Sequence, residues 1–483
     1  MTAVQAPTLA GRVGEFAARA DLDDVPQEVL ERARHLVLDA VGLAFASTAY
    51  PFPGVALQAL TAFGGAGEQP VLGMSERLPA RDAAVLNGVL IHGMDFDDTH
   101  IPAVTHVSAA ALPAALAAAI SRGADTRTLL LAYVLGVEVS ARVGIGGAGG
   151  FHDVGFHPTA VAGAFGAAVA AGRVSGLDAA GITRAQGVVG SMSAGLLEFL
   201  ADGSWTKRLH PGWAAMSGLT AAGFASAGWS GPPAVYEGRF GLYNTHLAGR
   251  ETRPEAVGAE LGETWELMRT AVKPYPICHF IHAFADAALL LREEIGDTTI
   301  REIRCAIHPV PGKVVCEPPE AKWAPRDEYD AKFSLPYVVA TALTRGRFTL
   351  AELEDDALAD RAVLDLAQKV RVSDDPDSGF PAAYSGAVEI ELADGRVLRH
   401  REQVNRGHED RPLTNDEIAA KFRDTIGRVA PDAIASLDLL AREVAPVLRS
   451  TPAVRPAAAG PASDRKDSPW TSASSSPSAT TAG

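Results

Sequence analysis

Across residues 25–249 apolar side chains recur at spacings of three and four, with short breaks and abundant alanine. That period places one stripe of each segment against a core, as an amphipathic helix requires. In residues 25–46 the stripe is Leu30, Ala33, Leu36, Val37 and Ala40, and similar patterns fill 83–92 and 126–143. β-branched alternation is scarce, so this region reads as all-helical. The character changes near Lys273. Residues 300–308 alternate like a half-buried strand, and 387–392 and 396–400 flank Ala393-Asp394-Gly395. A glycine that tolerates positive φ between two alternating runs is a hairpin signal. Helical patterns at 331–343 and 360–369 lie between the strands. Thr414 and Glu417 form a capping box, in which each side chain satisfies a backbone N–H of the new helix; the pattern then runs to about residue 448.

The elements predict a mainly α fold with an α+β part. A large all-helical domain is drawn from both chain ends, 1–268 and 409–450. It carries a smaller inserted α+β lid domain, 269–408. Residues 451–483 are mostly Ala, Ser, Pro, Thr and Gly. They cannot bury enough surface to offset the entropy of ordering, which predicts a disordered tail.

Composition narrows the function classes. Hydrophobic residues make up 47% of the 483, enough for large cores in two or three domains. A net charge of -15 argues against a nucleic-acid surface, which needs a basic stripe. It also means that an anionic substrate must find a local cationic pocket, since the overall field repels it. Three cysteines, Cys278, Cys305 and Cys316, give no disulfide framework and fit a reducing compartment, so the expected location is cytoplasmic. Residues 1–22 show no signal-peptide pattern. The small-residue run 159–172 is too short for a membrane span, and no membrane partner is expected.

Four polar clusters interrupt this apolar chain. The densest is His92-Gly-Met-Asp95-Phe-Asp97-Asp98-Thr99-His100, followed by His106. On a helix, His92, Asp95 and Thr99 would share one face. A carboxylate beside an imidazole suits acid/base work, because each shifts the other's pKa. A solvated helix end with capping Asp and Thr is the plain alternative. A divalent metal site is the functional rival, but no second Asp-rich motif follows. Gly144, Gly146 and Gly149 match a dinucleotide-binding spacing, yet they follow a helical pattern rather than a strand. They fit better as a loop presenting His157 ahead of a helix from Thr159. Lys207, Arg208 and His210 put cationic groups in a turn-rich segment before an Ala-rich helix. Lys273-Pro-Tyr-Pro-Ile-Cys278-His279-Phe-Ile-His282 lies at the domain junction, where small-molecule sites concentrate. Cys278 and His282, four apart, could face each other on a helix, though structural packing is the expectation for Cys278.

In this order the clusters resemble the MmgE/PrpD family, which includes 2-methylcitrate dehydratases, cis-aconitate decarboxylases and epimerases of related dicarboxylates. The residues carrying the resemblance are Asn87-Gly88, His92 to Thr99, Thr105-His106, Phe156-His157-Pro158-Thr159, Lys207 to Ala215, Lys273 to Cys278 and Ala331 to Tyr337. It spans about residues 8–450. The resemblance implies a site between the helical and α+β parts, a homodimer, and no metal or organic cofactor. It implies that Asp95, Thr99, His106, His157, Lys207 and Lys273 line the pocket. From it, His106, Asp95 and Thr99 are expected to be catalytic, with His106 as the acid/base. His157, Lys207 and Lys273 are expected to bind a small carboxylic-acid substrate. One departure stands out: the pocket tyrosine of the decarboxylases falls at or beside Pro319. The expected activity is therefore a hydro-lyase of the 2-methylcitrate dehydratase kind, by α-proton abstraction and β-elimination. The alternatives are a dicarboxylate epimerase or isomerase, a cis-aconitate-type decarboxylase and, last, a non-catalytic scaffold.

Overall fold

The computed structural model describes residues 7–201, 203–380 and 383–430. The predicted tail and the last part of the expected return segment lie outside the described residues. The chain is mainly α-helical with some β structure.

The principal helices are α1 (Gln27–Ser47), α2 (Ala80–His92), α3 (Ser108–Arg122), α4 (Thr126–Gly146), α5 (Pro158–Val174) and α6 (Thr206–Ser226). They are followed by α7 (His282–Ile295), α8 (Glu328–Lys332), α9 (Leu335–Arg345) and α10 (Asn415–Gly427). Their ends follow local chemistry. Asp125 caps α4 by accepting the Thr128 N–H, Pro158 opens α5 where no N–H is needed, and Thr414 and Glu417 close the capping box of α10. Helix α4 is long and apolar enough to cross a bilayer, but its apolar window is almost wholly buried within the fold.

One hydrophobic core joins α1 to α5 with the buried side of α6, and also takes Leu413, Ile418, Phe422 and Ile426 from around α10. A second core gathers Leu43, Ala46, Met94 and Phe96 with residues between Tyr275 and Leu392. Its sheet has the order β6-β5-β7-β8, formed by β5 (Ile300–Ile307), β6 (Val370–Asp374), β7 (Gly386–Leu392) and β8 (Val397–Glu402). β5 and β6 run parallel, and the other two pairings are antiparallel. Gly395 turns the β7–β8 hairpin at φ +87°. Short strands also occur where the sequence predicts none. β1 (Gln69–Pro70) pairs with β2 (Arg77–Leu78), and β3 (Thr99–His100) pairs with β4 (Thr270–Ala271).

One predicted helix is two. The pattern at 331–343 is broken after Lys332, because the Ser334 side chain accepts the Tyr337 N–H and starts α9 afresh, with Pro336 in its first turn. The apolar period continues across the break, so periodicity alone cannot reveal it.

The helices around the site approach at backbone distance. A Cβ on Gly88 of α2 would lie 2.5 Å from the Gly212 Cα of α6, and one on Gly212 would lie 2.1 Å from the Val85 carbonyl oxygen. Gly218 meets α5 in the same way, at 2.4 Å from the Ala168 nitrogen. The crossing of α2 and α6 is therefore set by two missing side chains, and it fixes where the first turn of α6 stands relative to the end of α2. Gly88→Ala and Gly212→Ala should each cost about 1–3 kcal/mol through forced backbone shifts. Gly223→Ala, whose Cβ meets nothing within 4 Å, should be neutral or slightly stabilising. Denaturant unfolding measures all three; equal stabilities would contradict the close crossing.

Candidate active site

Helix α2 ends at His92, and the chain then turns instead of continuing as helix. Asp95 sits in that turn at φ +55°, a left-handed conformation that Asp tolerates better than most residues. Thr99 lies in β3. The expected helical face of His92, Asp95 and Thr99 is therefore not formed. A period-based reading cannot register a left-handed residue three positions past a helix end. The pairing of β3 with β4 sets Thr99 opposite Ala271, and Lys273 follows two residues later. That pairing carries Lys273 to Asp95.

Asp95 is the meeting point. Lys207 Nζ lies 2.8 Å from its Oδ1 and Lys273 Nζ 3.2 Å from the same oxygen, while Lys273 also donates to the Asp95 carbonyl at 2.6 Å. His106 Nε2 is 4.0 Å from Oδ1. Burial by itself would raise the Asp95 pKa, but Lys207 and then Lys273 outweigh it and hold the carboxyl well below the usual range. Desolvation works against the Lys207 ammonium, and Asp95 more than compensates, so its pKa is raised. Lys207 itself was expected in a turn-rich segment. It is the second residue of α6, whose first turn holds Thr206, Lys207 and Arg208.

A second carboxylate, Asp97, serves the imidazoles. It accepts from His92 Nδ1 at 2.8 Å and lies 3.3 Å from His106 Nδ1. His106 Nδ1 is also 2.9 Å from the Asp98 carbonyl and 3.3 Å from Thr99 Oγ1, and its backbone N–H donates to Thr159 Oγ1 at the start of α5. Carboxylate and carbonyl oxygens can only accept, which assigns the Nδ1–H tautomer to both rings. In a neutral ring Nε2 then carries the lone pair. His92 Nε2 is buried with no hydrogen-bond partner among the described residues. Burial lowers the His92 pKa despite Asp97, keeping the ring neutral. His157, at the cap of α5, lies tilted against both rings and meets His210 at 3.0 Å between Nδ1 atoms. Desolvation, then His92 and Lys207, hold its pKa well below the ordinary value.

The adjoining cleft offers about 330 Å³, part of it open to solvent. Among the six expected site residues, Asp95 and Lys207 line it. His106 and Lys273 touch Asp95 from the buried side, Thr99 rests against His106, and His157 belongs to the imidazole group. The wall also includes His92, Trp205, Arg208, Tyr329 and Lys332. Tyr329, on α8, carried no signal of its own, and Lys332, on the same helix, lies within the Ala331 to Tyr337 segment but was not singled out there as a site residue.

Among the described residues two ligand sets could hold a metal ion: His92, His106 and His157, and Asp95, Asp97 and His106, each with donor atoms within 4.8 Å of one another. In the second set the acids are already engaged, Asp95 by two ammoniums and Asp97 by two imidazoles. In the first, a cation would stand close to Lys207. The arrangement suits proton transfer beside a bound anion better than metal ligation. Cys278 is not a competing nucleophile: it precedes α7 instead of facing His282 on a helical turn, and burial pushes its thiol up to about 11.

The MmgE/PrpD N-terminal domain model matches residues 11–255, and the MmgE/PrpD C-terminal domain model matches 275–443. The chain is similar to the cis-aconitate decarboxylase of Homo sapiens, 30% identical over 82% of this chain and 83% of the relative. It is also similar to a cis-aconitate decarboxylase of Aspergillus terreus, 28% identical over 90% of this chain and 94% of the relative.

Asp98 supports His106 through its carbonyl while its own carboxyl is buried against Ser108. Burial, helped by the charge on Asp97, outweighs the Ser108 hydrogen bonds and pushes the carboxyl up to about 7. The folded state therefore binds this proton more tightly than an unfolded chain, whose Asp titrates near about 3.9. Its contribution is fully present below about pH 4 and is lost as pH rises towards about 7. Asp98→Asn should remove that slope, so the stability difference between wild type and variant should change across this window. A difference constant from pH 4 to 7 would contradict the assignment.

Proposed function

The chain belongs to the MmgE/PrpD family, and on that premise we propose that it is a lyase acting on a small di- or tricarboxylic acid without a metal or organic cofactor. One observation carries the reading: Asp95 in the cleft wall is shared by Lys207 and Lys273, beside two imidazoles held by Asp97. Two ammoniums on one carboxylate leave a positive charge for a substrate carboxylate. Lys207, which lines the cleft, takes that carboxylate. Lys273 acts through Asp95, holding it by both its carbonyl and its side chain. His106 moves the proton, positioned by Thr99 and the Asp98 carbonyl. His92 is the second proton-transfer group, and His157, kept neutral by its surroundings, offers the substrate a hydrogen bond.

The reaction we favour is decarboxylation of an acid resembling cis-aconitate. Loss of CO2 leaves an electron pair on carbon that spreads onto a remaining carboxylate, and an imidazole that has taken up a proton from water then protonates the carbon. The growing carboxylate charge is what Lys207 stabilises. The named relatives support this reading, since they align over more than four-fifths of either chain. Dehydration of a hydroxy acid resembling 2-methylcitrate is the second reading. It is favoured by Pro319, which stands where the decarboxylases are expected to carry a tyrosine. Epimerisation uses the same proton abstraction with return to the opposite face.

We further propose a cytoplasmic homodimer. The dimer is supported by Leu209, Trp213 and Phe224, exposed along one side of α6, with Trp229 beyond its end. Light scattering should give twice the chain mass, and Trp213→Asp should shift it towards the monomer; a wild-type monomer would contradict the dimer.

Incubation with cis-aconitate, 2-methylcitrate and related acids in heavy water, followed by NMR and CO2 detection, separates the reactions. Released CO2 with deuterium on the product carbon is expected. An alkene formed from a hydroxy acid without CO2 would favour dehydration, and no turnover of any acid would overturn the lyase reading. His106→Ala should lose roughly 10²–10⁴ in rate, the usual worth of a positioned proton transfer. Near-wild-type turnover would remove His106 from its role.

A further inference from the structure

A second cationic group faces the same cleft. Lys332 is 2% exposed at its side chain, and its Nζ lies 3.0 Å from Glu328. Arg208 lies 3.8 Å from the other oxygen of Glu328. Arg208 and Lys332 line the cleft, whereas Glu328 is not among its lining residues. One acid therefore stands behind two cations, as Asp95 stands between Lys207 and Lys273. Aromatic rings fix the pair in place: the Arg208 guanidinium sits 4.5 Å from the Phe52 ring centre and 5.3 Å from Trp205, and Lys332 Nζ lies 5.8 Å from Tyr50.

An i, i+4 pair on a helix is ordinarily a solvated surface contact worth little. This one is not. Burial of an ammonium is costly unless partners repay it, and here two cations share a single carboxylate. A fold gains nothing in stability from such an excess of buried charge. The excess has a use if an anion enters.

We propose that Arg208 and Lys332 form a subsite for a second substrate carboxylate, so that the cleft selects acids carrying a carboxylate at each end. Lys207 takes one end and the Arg208–Lys332 pair takes the other, with the reacting carbons between them beside His92. Arg208 offers a planar fork that can meet a carboxylate with two parallel N–H groups, while Lys332 adds a compact charge. Tyr329, between the two groups in sequence and on the same wall, adds a phenol. The inference rests on the polycarboxylic-acid reading above and goes further by assigning the distal end.

Calorimetric titration of the full-length protein with glutarate and butyrate tests it. The two acids share one carboxylate end and differ in the other. Wild type should bind glutarate about 10- to 100-fold more tightly than butyrate, the range expected for charge-assisted hydrogen bonds to one more carboxylate. Lys332→Met and Arg208→Met should each erase most of that preference while leaving butyrate binding unchanged. Glu328→Gln, which removes the competing acid, should tighten glutarate, a gain that a damaged fold cannot produce. Lys207→Met should weaken both acids. If Lys207→Met weakens both acids but the Lys332 and Arg208 variants keep the glutarate preference, or weaken both acids equally, the distal subsite is wrong and the lyase reading stands. If wild type binds neither acid, both fall.

Discussion

A single carboxylate with two buried ammonium groups is the constraint around which the rest of this protein is arranged. Charges removed from water are costly, and partners repay the cost only when the geometry is tight. Asp95 meets that condition by lying 2.8 Å from Lys207 and 3.2 Å from Lys273. Three separate parts of the chain must agree for this to happen. The turn after α2 must hold Asp95 in a left-handed conformation. Strand β4 must pair with β3, so that Lys273 arrives from far along the sequence. Helix α6 must cross α2 at Gly88 and Gly212, so that its first turn brings Lys207 alongside. A shift in any of these leaves a charge without its partner.

The same arrangement separates two tasks in a small volume. Asp95 is committed to the lysines and kept ionised, so it is a poor proton acceptor. Asp97 is committed to His92 and His106 and fixes both rings with Nε2 free. The outcome is a cationic side for an anion and an imidazole side for a proton. That division is what chemistry next to a carboxylate requires: the charge that builds on the carboxylate must meet a fixed cation, while the proton moves through a group that can both give and take it.

Much of the fold was legible in the sequence because long helices with a strong apolar period announce themselves. The predicted segments 25–46, 83–92 and 126–143 coincide with α1, α2 and α4 to within a few residues. The strand at 300–308 and the hairpin around Gly395 were equally readable from alternation and a turn glycine. The ordered polar clusters were enough to collect Asp95, Lys207, Lys273 and His106 into one proposed site. Sequence reasoning failed where long-range contacts override local pattern. Residues 93–98 have helix-compatible spacing, but they turn because β3 is recruited by β4. The break between α8 and α9 depends on the Ser334 side chain turning to the Tyr337 N–H. Tyr329 and Lys332 face the cleft only because α8 packs beside the first turn of α6, and nothing in their own segment signals that neighbour.

The most direct measurement is a crystal structure of the protein with tricarballylate bound. A carboxylate of the acid should lie within about 3 Å of Lys207 Nζ, the ordinary reach of a charged hydrogen bond, with its carbon chain beside His92. An acid seated away from Lys207, or Lys207 still held by Asp95 alone at saturating ligand, would contradict the account.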